Sequence, residues 1–253
     1  MEEVKKKFKV FLIGDNCTDI YRYGTVDRIS PEAPVPIFKL SYEEQKPGMA
    51  ANVLANLEAF GIEVQAYLGL KSEKTRLIDI KSRQHIVRID NDVISKSAGI
   101  ENIGELNFYD AVIISDYNKG WISYQLVKDI RKNYLGPIFV DSKKTDLEQF
   151  NGCFVKVNEK EYSESVTQVS NMIVTLGSGG ARYQDQLYTV DKVEVVDVCG
   201  AGDTFLAALV FEYLNTSSIK SAIQFANRAG AICVQHSGVY TLTKQDIESI
   251  RKF

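Results

Sequence analysis

An aspartate closes a glycine-alanine-glycine turn at Gly200-Ala201-Gly202-Asp203, after an apolar, strand-like run from Val195 and before a helical run of small and apolar residues reaching Leu209. Two glycines around one alanine let main-chain amides converge on a point at the positive end of a helix dipole. Such a point holds an anion. Asp203, in the first turn, can lie beside that anion and take a proton from an approaching nucleophile. The simplest chemistry that uses both parts is phosphoryl transfer to a hydroxyl. The same four letters also fit an ordinary strand-to-helix turn, with Asp203 as a common first-turn residue. The rest of the chain has to decide between the two.

The elements around this turn read as an α/β protein. Phe8 to Ile13 is an apolar strand that should end at Gly14-Asp15, and ligands bind at that edge of parallel sheets. Asp15 and Asp19 are therefore candidates to accept hydrogen bonds from a polyol, or plain turn formers. Arg28 to Pro36 carries three prolines and must be extended, leading into a strand at about Val35 to Leu40. Lys46-Pro47-Gly48 turns into a helix over Met49 to Phe60, from whose first turn Asn52 either binds substrate or caps. Glu63 to Leu70 is a strand; Arg76 to Ile80 and His85 to Ile89 alternate as a hairpin flap. Its arginines, Arg76, Arg83 and Arg88, could meet a phosphate or simply face solvent.

From Ala111 the pattern alternates strand and helix, as in a parallel sheet with covering helices. Strands over Ala111 to Ser115, Ile138 to Val140, Phe154 to Val157 and Met172 to Thr175 end at Asp116, Asp141, Asn158 and Gly177. With Gly14-Asp15 that makes five strands ending in polar or glycine-rich sites along one edge, the geometry of an active-site crevice. A hairpin across Asp185 precedes the organising turn, helices over about Asp203 to Asn215 and Ser218 to Gln235 follow it, and Thr243-x-x-Asp246 reads as a capping box. No repeat, linker or low-complexity segment interrupts residues 1–253, so one domain is expected.

Bulk properties exclude other classes. With 30 basic and 33 acidic side chains intermixed, no basic stripe is present to attract nucleic acid. The apolar run near the N-terminus is too short for a membrane span. The cysteines, Cys17, Cys153, Cys199 and Cys233, are scattered without a C-x-x-C pair, which argues against zinc or a disulfide framework and for a reducing cytoplasm.

Taken together, these residues resemble the ribokinase (PfkB) family of sugar kinases, with its Gly-Ala-Gly-Asp turn at Gly200 to Asp203 and its glycine-rich, asparagine-containing turn at Gly48 to Asn52. Within that family the chain is most similar to bacterial D-glycero-β-D-manno-heptose 7-phosphate kinases. That likeness rests on Gly14-Asp15 through Asp19, Tyr23-Gly24, Arg28 to Pro36, Arg83-Gln84 through Asp90, Ser115-Asp116-Tyr117 with Lys119-Gly120, Asp141-x-Lys143, and Asn158 with Glu161. The resemblance implies a three-layer sandwich with a mostly parallel sheet and a small β lid from about 21–47 and 75–90, which joins two subunits. It implies ATP and magnesium as cofactors, with room for a monovalent cation, and a sugar phosphate as substrate. Asp203 would be the base, with Gly200, Ala201 and Gly202 donating to the moving phosphoryl group. Asp15, Asp19, Gly48, Asn52, Asp116 and Lys143 would face the sugar, together with the three lid arginines. Asn158, Glu159, Lys160, Glu161, Thr175, Gly177 and Asn227 would line the nucleotide site, with Glu161 reaching magnesium through water.

The departures from the family pattern carry expectations of their own. Met49 stands where the family has a second glycine, Cys199 where it commonly has threonine, and Ser142 and Lys144 where it has proline and glycine. Lys71 to Lys74 leads almost directly into the lid, omitting most of one strand-helix unit, roughly 30 residues. Since part of that unit walls the sugar site in the family, another sugar or sugar phosphate, or a non-catalytic binding role, is the alternative. No adenylyltransferase domain follows Phe253, so nucleotide activation is expected to fall to another protein.

Overall fold

A computed structural model describes residues 7–251. One sheet of ten strands organises it, in the order β10-β9-β8-β7-β6-β5-β1-β3-β4, with β2 paired to β1. The strands are β1 (Lys9–Ile29), β2 (Pro36–Met49), β3 (Glu63–Asp79), β4 (His85–Asn91), β5 (Ala111–Asp116), β6 (Ile138–Ser142), β7 (Phe154–Asn158), β8 (Met172–Thr175), β9 (Ala181–Tyr183) and β10 (Gln186–Tyr188). From β3 through β1, β5, β6 and β7 to β8 neighbours run parallel; β2, β4, β9 and β10 are antiparallel additions. The helices are α1 (Ala50–Ala59), α2 (Tyr124–Asn133), α3 (Glu159–Glu164), α4 (Ala201–Thr216), α5 (Ile219–Cys233) and α6 (Lys244–Arg251).

The three layers follow from alternation along the buried strands, where successive side chains take opposite faces. Val10, Leu12, Ala111 and Ile113 pack with α1, α4, α5 and α6, whereas Phe11, Ile13, Val112 and Ile114 pack with α2 and the Leu147–Phe150 turn. Helix α4 is buried from Asp203 to Phe211 without a break, so it is clamped between the sheet and α5 and its first turn cannot drift. No helix among the described residues is long and apolar enough to cross a membrane.

Two expectations about strand limits need correcting. β1 does not stop at Gly14-Asp15, and β3 does not stop at Leu70; both continue out of the core into the lid. The register jumps from Gly14↔Leu68 to Asn16↔Lys71, a bulge that turns the strands while keeping them paired. Gly14 permits it, because a Cβ there would lie 2.4 Å from the Ser115 carbonyl oxygen. The lid is thus an extension of the sheet, completed by β2 and by β4, with Arg76 opposite Arg88.

The second correction concerns Val195 to Val198, which form no strand. Val196 and Asp197 donate their N–H groups to the Val234 carbonyl at 2.8 and 3.1 Å, beside the end of α5, and Val195, Val196 and Val198 are exposed. With β10 already ending the sheet, this segment has no strand to pair with, and Val195 and Val198 line a cleft instead.

Candidate active site

Helix α4 begins where Gly200 takes a left-handed conformation, φ 77°, as its N-cap. Gly200 is favoured by its left-handed backbone, and side chains crowd both glycines. A Cβ on Gly200 would sit 2.7 Å from Asn52 Nδ2, and one on Gly202 would sit 2.7 Å from Lys156 Nζ. The Ala201 N–H makes a long contact to the Val198 carbonyl at 3.3 Å, while those of Gly200 and Gly202 find no acceptor among the described residues. These donors and the helix dipole face a polar cavity of about 660 Å³ lined by Tyr117, Asp141, Lys143, Lys156, Asn158 and Asp203.

Asp203 is buried at this opening, and each of its oxygens has one donor. Asn52 Nδ2 donates to Oδ2 at 2.9 Å and the Tyr117 hydroxyl donates to Oδ1 at 2.8 Å. Burial lifts the carboxyl to about 6, helped by nearby Asp141 and opposed by Asn52, Tyr117 and Lys156. A carboxyl held there suits proton transfer close to neutral pH. A relay fixes the Asn52 amide. The Leu242 N–H donates to Asn56 Oδ1, so the Asn56 amide nitrogen faces Asn52 Oδ1 at 3.1 Å and leaves Asn52 Nδ2 for Asp203.

The far wall of the cavity is a chain of charges. Lys156 Nζ donates to Asp141 Oδ2 at 2.7 Å, which occupies one of its three N–H donors, in a side chain only 4% exposed. Lys143 pairs with Glu161 and stands 3.7 Å from Asp141 Oδ1. Burial works against the Asp141 anion, but Lys156 and Lys143 hold it below its ordinary range; Lys143 is likewise held above the usual lysine value by Asp141 and Glu161 despite burial. Asn158 and Glu161 form a capping box on α3. Asn158 Oδ1 accepts from the Glu161 N–H and Glu161 Oε2 accepts from the Asn158 N–H, both at 2.8 Å. Both Glu161 oxygens are therefore engaged by the protein, which suits a role toward a metal only through water.

A second, more apolar cleft of about 410 Å³ adjoins this cavity and shares Thr175, Gly177, Ser178, Val198 and Gly202 with it. Val190, Val195 and Phe205 supply apolar walls, and Asn227 lies at its inner end with its amide donating to the Tyr188 carbonyl at 2.8 Å. An apolar slot opening into a cationic, donor-rich cavity fits a nucleobase followed by a phosphate tail. Among the described residues no group of three or more metal-ligating side chains is gathered. A magnesium ion on phosphate oxygens and water is the arrangement that fits these residues.

Asp15 is buried, with Oδ2 accepting the N–H groups of Tyr117 and Lys119 at 2.8 and 3.1 Å, while its buried Oδ1 has no partner. Burial raises its carboxyl above the ordinary range. Asp19 is paired with Arg76, both buried, and Gly48 has to be glycine because a Cβ would lie 2.2 Å from Asp19 Oδ2. Met49 carries the strain of its turn at φ 53°, where a glycine would be relaxed.

Several anticipated groups are placed elsewhere. Asp116 is fully buried, and its oxygens are filled by Lys144 Nζ at 2.7 and 2.9 Å and the Ser142 hydroxyl at 2.7 Å, so it forms an internal ion pair instead of facing a substrate. The lid arginines form no cluster: Arg76 is sequestered by Asp19, Arg88 is paired with Asp90 at 2.7 Å, and Arg83 stands at the exposed hairpin turn. Lys160, by contrast, does line the larger cavity, at its exposed rim and 3.7 Å from Glu164. Sequence reasoning missed Tyr117 and Lys156 as site residues. Tyr117 sits directly after a strand-ending aspartate, which was a usable signal; Lys156 lies within an alternating strand, where a lysine suggests only an outward face.

A buried carboxyl beside the donor-rich end of a helix, where a cationic cavity opens into an apolar cleft, suits a phosphotransferase with an alcohol group as acceptor. Residues 146–246 match the model of the pfkB family carbohydrate kinases. Bifunctional protein HldE of Nitratiruptor sp. is 33% identical across 97% of this chain and 66% of its own length, and that of Campylobacter curvus is 32% identical across 97% and 65%. Ribokinase from Thermotoga maritima has the same fold at a TM-score of 0.71 and 17% identity, covering 97% of this chain and 100% of its own. Phosphofructokinase-2 from Escherichia coli, solved in complex with potassium, gives 0.73 at 15% identity, covering 97% of this chain and 98% of its own. The chain is similar to the pfkB family carbohydrate kinases, whose model it matches over residues 146–246. It spans just under two thirds of the length of the curated relatives it matches. The Nitratiruptor alignment runs over 310 positions against 253 residues here, so at least 57 positions of the relative lie opposite gaps, more than the one strand-helix unit anticipated.

Proposed function

We propose that the protein is an ATP- and magnesium-dependent sugar kinase that phosphorylates the anomeric hydroxyl of D-glycero-β-D-manno-heptose 7-phosphate to give the 1,7-bisphosphate. One observation carries this reading: Asp203 lies at the meeting of a donor-rich cavity and a nucleotide-shaped cleft, with its carboxyl raised to about 6. When bound, the nucleotide supplies the γ-phosphoryl group and magnesium neutralises its charge. Asp203 takes the proton of the attacking hydroxyl. Asp15 Oδ1 accepts from a second sugar hydroxyl and holds the ring. Lys156 and the amides of Gly200 and Gly202 bind the phosphoryl oxygens as charge moves across them. Thr175, Gly177 and Asn227 seat the base and ribose, with Asn158, Glu159 and Lys160 at the phosphate end. Arg88, directly opposite Arg76 in register, would meet the phosphate that the sugar already carries by giving up its pair with Asp90.

The heptose assignment rests on the resemblance of the Arg28 to Pro36 run to heptose 7-phosphate kinases, together with the similarity to the HldE proteins. The gaps against those relatives favour a second reading, a kinase for another sugar phosphate with a reshaped pocket. Measuring ADP release with heptose 7-phosphate against a panel of hexose phosphates separates them: turnover fastest by at least tenfold on the heptose is expected, and preference for a hexose phosphate overturns the assignment. The same reading takes the protein to be cytoplasmic and dimeric through the lid, where Val87 and Ile89 are exposed on β4. Light scattering checks the dimer. A potassium titration checks whether a monovalent cation assists.

A further inference from the structure

We propose that Tyr117 is the positioning residue that aims and ionises Asp203, and that through it the sugar-facing carboxylate Asp15 and the base act as one unit. This rests on Asp203 being the base. The backbone around Tyr117 is pinned from two sides: Asp15 Oδ2 accepts the N–H groups of Tyr117 and Lys119, and Asp116 Oδ1 accepts that of Asn118 at 2.9 Å. Those bonds leave the Tyr117 side chain little beyond its own torsions. Its ring lies 5.1 Å from Lys143 Nζ and 5.5 Å from Lys74 Nζ, so one ammonium from the charged wall and one from the lid fix the ring plane. The hydroxyl then reaches Asp203 Oδ1 at 2.8 Å. Burial, and after it the charges of Asp203 and Asp141, keep the phenol protonated well above its ordinary range, so it serves only as a donor to the carboxylate.

With Asn52 on the other oxygen, the carboxylate plane is fixed, and each oxygen keeps one lone pair for an incoming proton. The other groups facing Asp203 are Lys156 from β7, Asp141 from β6 and Cys233 from α5, with Lys143, paired to Glu161, across the cavity. Asn52 alone cannot set the plane, because one hydrogen bond leaves rotation about the side chain open. A hydroxyl held by Asp15 is one residue's backbone away from the group that will deprotonate it. The alignment of acceptor and base is therefore built into a single loop.

The test is Tyr117→Phe, which keeps the ring between its two lysines and removes only the donor. Losing a hydrogen bond to an ionised group should move the acid limb of kcat/KM upward by roughly one pH unit. Misorientation should lower the plateau kcat by about 10–100-fold, with KM for ATP unchanged. A variant whose acid limb and kcat match the wild type overturns the proposal. Replacing Tyr117 with 3-fluorotyrosine, a stronger donor of nearly the same shape, should move the limb downward and covers the case in which the Phe variant does not fold; an unmoved limb there counts against the proposal. In the double variant Tyr117→Phe/Asp203→Asn, a rate equal to that of Asp203→Asn alone supports action through Asp203, and a further full loss refutes it. Should Asp203→Asn by itself keep wild-type turnover, the base assignment fails, an outcome distinct from any failure of Tyr117.

Discussion

Replacing Asp203 by asparagine separates stability from chemistry, and the two should move in opposite directions. Burial lifts the Asp203 carboxyl from 3.8 to about 6. A raised acid favours folding most below its unfolded value, and that advantage is lost as pH rises through about 6. At pH 8, where the group is about 99% ionised, the buried charge penalises the fold by about 3 kcal/mol. Asparagine removes that penalty and keeps an oxygen for the Tyr117 hydroxyl, but its amide nitrogen opposes Asn52 Nδ2, a mismatch of about 1–3 kcal/mol. Net stability at pH 8 should therefore be unchanged or slightly higher. Turnover should fall by about 10²–10⁴-fold, the usual contribution of a general base. Thermal melts at pH 5 and pH 8 beside ADP-release kinetics read both quantities. A variant that melts far below wild type at pH 8 refutes the charge argument. Turnover within a few-fold of wild type removes Asp203 from the mechanism.

Further perturbations test the supporting frame. Arg76→Met strands the Asp19 carboxylate in a buried site and should destabilise the protein by about 3–5 kcal/mol, whereas Asp19→Asn/Arg76→Met should recover much of that loss in urea unfolding. Trp121→Ala should lower stability by about 2–3 kcal/mol, since the indole packs on Gly69 and Tyr67 and donates to the Tyr67 carbonyl at 3.2 Å; a loss below about 1 kcal/mol would mean that the β3 edge holds without it.

Much of the sheet was legible because its strands are short apolar runs bounded by sharp polar signals: Ala111–Asp116 and Met172–Thr175 were read within a residue. Helix starts were legible where a side chain caps them, as Ser123 does for α2 and Thr243 with Asp246 does for α6. The long strands were not, because Gly14-Asp15 looks like a turn and proves to be a bulge, a distinction set by the neighbouring strand instead of by local residue type. Val195 to Val198 deceived in the other direction, since valines selected to line a cleft have the composition of a strand. At the site, the turn and its acid were visible as letters, but Tyr117 reaches Asp203 across 86 positions, Lys156 meets Gly202 across 46, and Leu242 orients Asn56 across 186, separations that no local pattern encodes. The acid pairs were misassigned for the same reason: Asp116 and Arg76 look available until their partners, Lys144 and Asp19, are seen.

One pair of strands, β1 and β3, serves as floor in the core and as roof over the sugar side. A lid attached by loops could swing as a rigid flap; this one can only flex, and the crease must fall where pairing is interrupted, at Asp15 on one strand and at Gly69 and Leu70 on the other. Asp15 is also the acid with an unsatisfied oxygen, so under the proposed function the hinge and the sugar's point of attachment coincide in one residue. Grasping the substrate and bending the roof are then a single mechanical event.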